Sequence, residues 1–246
     1  MRFFLVLSAL LLVSCQAHFD WPWLNKDSAP AHPKGVQVSE DRTVPAFDKV
    51  RLEGLGKLVF DAAVPAGTVR VRVDQGLLSK VQATVNGTTL VLHEEGVRGF
   101  GAFDLEFRLA PPSNLTEVTL AGLGSIEAAE PLRAQNLTLA LDGMGKINLA
   151  VNAATVHVRQ QGQGEVVVTG TADQVDVRAD GLGRVRLSEL TAKAVDVESN
   201  GLGEVTVNAT QKLKVRANGL GAVHFSGHPA QTDVQTKGLT QVTASD

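Results

Sequence analysis

The stretch VDVRADGLGRVRLSELTAKAVDVESNGLGEVTV, residues 175–207, carries the pattern that decides the fold. Val175 and Val177 alternate with Asp176 and Arg178, a Gly181-Leu182-Gly183 triplet follows, and Val185 and Leu187 alternate with Arg184 and Arg186. Val195, Val197, Gly201-Leu202-Gly203, Val205 and Val207 then repeat the arrangement. Period-two alternation on both sides of a glycine pair describes two short strands per unit, each with one apolar face.

Outward from this stretch the triplet recurs, its first glycine at Gly54, Gly122, Gly143, Gly162, Gly181, Gly201 and Gly219, with a degenerate copy at Gly238. From Gly122 onward the spacings are 21, 19, 19, 20, 18 and 19 residues. Val118, Leu139, Val158 and Val215 hold the place of Val177, and Ile126, Ile147, Val166 and Val223 that of Val185. One coil offers about four inward aliphatic side chains, too few to offset the ordering of about nineteen residues. The coils must therefore stack, at about 4.8 Å, and seven of them make a rod of about 30 Å. The expectation is an all-β solenoid.

The glycines of the triplets (Gly122, Gly124, Gly143, Gly145, Gly181, Gly183, Gly201, Gly203, Gly219 and Gly221) are assigned to structural turns. Asp142, Asp180, Asn200 and Asn218 precede the first glycine, and Asn/Asp-Gly pairs suit tight turns with positive φ. The residue between the glycines (Leu123, Met144, Leu182, Leu202, Leu220 or Leu239) is expected to turn inward at a corner. Gln163 marks the weakest coil. After the second glycine, Lys146, Glu165, Arg184 and Glu204 alternate in sign, which in-register stacking turns into a salt-bridge ladder. A second column, Arg159, Arg178, Glu198 and Arg216, is mostly basic and is the candidate binding face for an anionic partner, against the plainer reading of a solvated surface.

Residues 118–246 follow the repeat, whereas 43–117 carry one triplet and a different pattern. Val69, Val71 and Val73 alternate, as do Phe103, Leu105, Phe107 and Leu109. Asn86-Gly87 separates Val81–Val85 from Leu90–Leu92, a hairpin signal. This section is expected to cap the first end of the solenoid with antiparallel strands. At the other end the last coil has no evident cover, so its strands are candidates for pairing with another copy.

Residues 1–14 read as a lipoprotein signal peptide, with Arg2 before the apolar run Phe3–Val13, which is too short to span a bilayer. Leu12-Val13-Ser14-Cys15 resembles a bacterial lipobox, which implies lipidation of Cys15, the only cysteine. Gln16 after it implies sorting to the outer membrane, with acyl chains as the anchor. Residues 15–42 then hold Pro22, Pro30 and Pro33 among small polar residues and read as the lipidated cysteine and a flexible tether. Trp21-Pro22-Trp23 suits either the lipid headgroup level or the domain surface.

Composition excludes several classes. The net charge of −3 with interspersed signs argues against a nucleic-acid partner, and one cysteine permits neither an internal disulfide nor a cysteine-based metal site. A strand follows each Gly-x-Gly where a dinucleotide loop needs a helix, and the six histidines are scattered. No cofactor, metal or catalytic residue is assigned.

The opening Pro45-Ala46-Phe47-Asp48-Lys49-Val50, the Gly54-Leu55-Gly56 after it, the hairpin section and the Gly-x-Gly coils together resemble the bacterial head GIN domain family, over roughly residues 43–246. The resemblance implies a right-handed parallel β-helix and a family of adhesins, and it offers no catalytic residues to carry over. The functional expectation is a non-catalytic, lipid-anchored cell-envelope protein for adhesion, scaffolding or polysaccharide contact. Two alternatives stand beside it. One is a polysaccharide-active enzyme of β-helix type, for which Asp142 and Asp180, two coils apart, are the only carboxylate pair of interest. The other is a structural subunit that self-assembles through its C-terminal coil.

Overall fold

The computed structural model describes residues 35–95 and 104–245. Cys15, the apolar run before it, Trp21-Pro22-Trp23 and Phe103 lie outside these residues. The described chain is a β-solenoid of about seven turns with coils of roughly nineteen residues.

The first part of the chain forms β1 (Gln37–Thr43), β2 (Lys49–Leu52), β3 (Leu55–Phe60), β4 (Thr68–Asp74), a 3-10 turn (Gln75–Lys80), β5 (Val81–Asn86), β6 (Thr89–Glu94) and β7 (Glu106–Leu109). The solenoid continues through β8 (Glu117–Leu120), β9 (Leu123–Ala128), β10 (Leu132–Leu141), β11 (Met144–Gln160), β12 (Gln163–Ala179), β13 (Arg184–Ser199) and β14 (Glu204–Ala217). It ends in β15 (Ala222–Ser226), β16 (Gln231–Thr236) and β17 (Gln241–Ala244).

From β8 onward every pairing is parallel and in register, residue for residue at the glycine corners: Lys146 lies beside Glu165, Glu165 beside Arg184, and Arg184 beside Glu204. Each of β11 to β14 is one long strand that runs from one Gly-x-Gly to the next. It bends midway at a column of small residues, Ala153, Ala172, Ala192 and Ala209, which stack on one another. Register shifts at Val167/Gly170 and Leu187/Thr191 absorb the differences in coil length near that bend.

Alternation buries the expected set. Val175, Val177, Val185 and Leu187 are all 3% exposed or less, as are their equivalents Leu139, Val158, Ile147, Val166, Val205 and Val215. Apolar burial along one continuous core, with backbone hydrogen bonds from coil to coil, is what holds the stack together.

The first end carries the antiparallel strands expected for residues 43–117 and sets parallel ones among them. β4 does run antiparallel to β1 and β7, and Asn86-Gly87 does turn β5 into β6, with Asn86 opposite Thr89 and Gly87 at φ 64°. β6 and β7, however, stack parallel on β2 and β3, whose other edges meet β8 and β9. The chain thus lays one coil, adds the next beneath it, and only then climbs. Their inward residues, Leu90, Leu92, Phe107 and Leu109, share the parity of Leu52, Leu58 and Phe60, so the same core accepts them. Residues 37–42, the last part of the stretch read as tether, belong to strand β1, because Val38 to Arg42 pair with Val73 to Val69 of β4.

Candidate interaction surface

The corners are built differently from the turn expectation. Of the ten triplet glycines from Gly122 to Gly221 assigned above, only Gly145 has positive φ, at 156°, close to extended. What demands glycine is close approach. A Cβ at Gly143 would stand 2.1 Å from the carbonyl oxygen of Gly122, at Gly201 2.1 Å from that of Gly181, and at Gly203 2.1 Å from that of Gly183. Those oxygens are committed: Gly122 O accepts Met144 N–H at 3.0 Å, Gly181 O accepts Leu202 N–H at 3.2 Å, and Gly183 O accepts Glu204 N–H at 3.2 Å. Two columns of glycine therefore let the corners stack tightly.

The residues before the first glycine form a ladder along the stack. Asn218 Nδ2 donates to Asn200 Oδ1 at 3.0 Å, and Asn200 Nδ2 donates to Asp180 Oδ1 at 2.8 Å. Arg178 Nε donates to Asp180 Oδ2 at 2.7 Å. Burial pushes the Asp180 carboxyl up, but the hydrogen bonds from Arg178 and Asn200 outweigh it, so its pKa lies below the usual carboxylate range. Asp142 faces Arg51 at 3.6 Å. A glycosidase acid needs a raised pKa, and Asp180 is shifted the other way.

The charge ladder beyond the second glycine also forms. Lys146 Nζ lies 2.9 Å from Glu165, Arg184 Nε 3.7 Å from Glu204, and Arg186, two positions along the strand, reaches Glu165 at 2.7 Å. The Lys146 hydrogen bond, with the charges of Arg186 and Arg184, holds the Glu165 carboxyl below its usual range.

Arg159, Arg178, Glu198 and Arg216 stand in one column, adjacent rung to rung. Beside it His157, Asp176, Asp196 and Lys214 make a second. His157 Nδ1 sits 3.0 Å from Asp176, and Arg216 and Lys214 each lie 3.8 Å from Asp196. Between them is a shallow depression of about 220 Å³. The surface is a grid of both signs, not a basic stripe, because the carboxylates of the neighbouring columns neutralise most of the arginines. Such a grid offers hydrogen-bond donors and acceptors at every rung without a strong net field. Among the described residues no three His, Cys, Asp or Glu side chains converge to hold a metal.

The residue between the glycines overturns its expectation. Met144 is 47% exposed, Leu182 and Leu202 56%, Leu220 61% and Leu239 79%. They point outward as a ridge. Alternation continues unbroken through the corner, so Gly181 and Gly183 share the inward parity of Val177 and Val185, and Leu182 has the opposite one. Beside the ridge runs a furrow of about 840 Å³, floored by Gly122, Gly143, Gly162 and Gly181 and walled by Asp142, Gln161 and Asp180. Glu94 closes its first end by accepting Leu55 N–H at 2.8 Å.

Comparison with known proteins places this architecture. The described fold is similar to that of a putative adhesin from Bacteroides fragilis, with TM-score 0.76, 22% sequence identity, and coverage of 87% of this chain and 99% of that one. It is also similar to a putative lipid binding protein from Parabacteroides distasonis (TM-score 0.61, 18% identity, 86% and 98% covered). A putative adhesin from Parabacteroides merdae gives TM-score 0.58 at 18% identity, with 86% and 97% covered. No curated protein matches the chain. Residues 46–229 match the sequence profile described as putative auto-transporter adhesin, head GIN domain. With three quarters of its length accounted for by that match, the chain belongs to the head GIN domain family.

Proposed function

We propose that this chain is a non-catalytic, lipid-anchored protein of the cell envelope, which holds its β-solenoid off the membrane as a rigid rod for adhesion. The observation that carries the reading is the repeating outward grid around Arg159, Arg178, Glu198 and Arg216, one set of polar groups per rung at a spacing of about 4.8 Å. Such a surface suits a repeating partner, an envelope polysaccharide above all, better than a compact substrate. The family's adhesin description and the similar adhesin-type structures support the same role and an envelope location. Cys15, directly after an apolar run, supports attachment by lipid at the outer membrane.

The enzyme alternative is disfavoured by the short turns between coils. Self-assembly through the terminal coil has one observation in its favour. β16 is exposed along its length and pairs only with β14 among the described residues, and β17 pairs only with β15. Such edges can pair with another chain. The coil is poorly suited to a strong contact, because Thr232 and Thr236 stand where the coil beneath has Leu213 and Ala217.

Two assays test the proposal. Cys15→Ser is expected to move the protein from the membrane to the soluble fraction. Purified protein incubated with peptidoglycan or capsular polymer is expected to yield no new reducing ends and no unsaturated products. Unchanged membrane retention contradicts the anchor, and steady product formation contradicts the non-catalytic reading.

A further inference from the structure

The ridge of Met144, Leu182, Leu202, Leu220 and Leu239 is an exposed apolar line, broken only by Gln163, on a structure whose other outward columns are polar. Single exposed leucines are ordinary, whereas a contiguous line marks an interaction site. We propose that this ridge joins two copies of the chain side by side, with their stacks parallel about a two-fold axis along the rod.

Three features select a second copy in that orientation. First, a two-fold parallel to the stack lets Met144 and Leu182 of each ridge enter the other's glycine-floored furrow, which runs from Gly54 to Leu182, whereas an antiparallel pair sets ridge on ridge. Second, parallel packing brings equal heights together. The one polar residue in the ridge, Gln163, then meets Gln163 and the leucines meet leucines; an antiparallel pair centred on the stack sets Gln163 against Leu182. Third, the columns flanking the ridge are complementary at equal heights. Asp142 and Asp180 on one side stand level with Lys146 and Arg184 on the other, and the rotation brings each acid opposite its base in the partner copy. At the intervening rung Gln161 meets Glu165, and above Asp180 and Arg184 Asn200 meets Glu204, so no like charges face each other. An anionic bilayer is the poorer occupant, since from Met144 to Leu202 the flanks carry four carboxylates (Asp142, Glu165, Asp180 and Glu204) against two cations (Lys146 and Arg184).

The strip from Met144 to Leu239 spans five rung spacings, about 24 Å, by about 14 Å across the flanking columns. Such a strip covers about 340 Å² on each copy, about 700 Å² in total, which is the size of a weak and transient contact and points to reversible association at micromolar concentrations. The polymer contact above uses the neighbouring columns, which meet this strip at the Arg178–Asp180 bond.

The test is sedimentation velocity of the full mature protein in a density-matched detergent. At about 100 μM, well above a micromolar dissociation constant, the native chain is expected to sediment as a dimer. Leu202→Glu with Leu220→Glu is expected to weaken the dimer at least about 50-fold, because it places four carboxylates in one contact. Both side chains are exposed in the monomer, so the circular dichroism spectrum and melting temperature should be retained. Leu202→Cys should form a covalent dimer under mild oxidation, a cross-link between equal heights that the native chain does not give. A native chain that stays monomeric overturns the proposal. So does a dimer that survives both glutamates, which would point to the terminal strands.

Discussion

Replacing Gly201 by alanine tests the stacking of the corners directly. The new Cβ would stand 2.1 Å from the carbonyl oxygen of Gly181 and 2.9 Å from the carbonyl carbon of Asp180, both backbone atoms. An ordinary carbon–oxygen contact needs about 3.3 Å, so the two coils must part by roughly 1.2 Å against a spacing of about 4.8 Å. The oxygen that must move accepts Leu202 N–H at 3.2 Å, and that bond is lost or lengthened. Overpacking of this kind costs about 1–3 kcal/mol, and a lost hydrogen bond about 1 kcal/mol more. The expected loss is therefore about 3 kcal/mol, a fall in Tm of roughly 6–12 °C for a chain of this size. Gly87→Ala is the control. Its Cβ meets nothing within 4 Å, and only the positive φ of 64° is strained. It should cost about 1–2 kcal/mol. Urea and thermal unfolding of both variants give the comparison. If Gly201→Ala is as stable as the native chain, the close-approach account of the glycine columns is wrong, since a tolerated Gly→Ala change stabilises by about 0.4–1 kcal/mol.

Three further outcomes follow from the same geometry. Asn200→Ala removes the middle of the corner ladder, leaving Asp180 and Asn218 without their bonds to it, and should cost about 1–2 kcal/mol in urea unfolding. Gln160 is fully buried beside Leu141 in the coil beneath, with its Oε1 unpartnered, so Gln160→Leu should leave stability unchanged or raise it by up to about 1 kcal/mol. On acidification the stability should fall. Glu165 and Asp180 have pKa values lowered by folding, so their contribution is present above the unfolded values, near 4, and is lost as pH drops through the folded ones. Melting curves from pH 7 to pH 2 should be flat to about pH 5 and then decline, and Glu165→Gln should make the decline shallower.

The solenoid was legible because its core is written in a local code. A valine on every second residue and a glycine pair at a fixed interval imply both the coil and its register, and the alternating Lys146, Glu165, Arg184 and Glu204 confirm that register without reference to the core. The direction of Leu182 was legible too, by counting its parity from Val177 and Val185, but hydrophobicity argued for burial and masked it. The nature of the glycine columns was not legible, since close approach between coils is a property of the stack and not of the local turn. Nor was the order of the first coils, in which β6 and β7 insert beneath β2 and β3, because nothing in residues 49–109 distinguishes building up from building down. The candidate surface was legible as a column, Arg159 to Arg216. Its neutrality became visible only when Asp176 and Asp196 were set beside it.

The adhesion reading is tested most directly by retention on separated envelope fractions. Purified mature protein is passed over peptidoglycan, outer-membrane lipid and surface polysaccharide. The account predicts selective, saturable retention on the polysaccharide, weakened when Arg159, Arg178 and Arg216 are changed to alanine together with no change in melting temperature. Equal passage through all three fractions, or retention that the triple variant keeps in full, would contradict it.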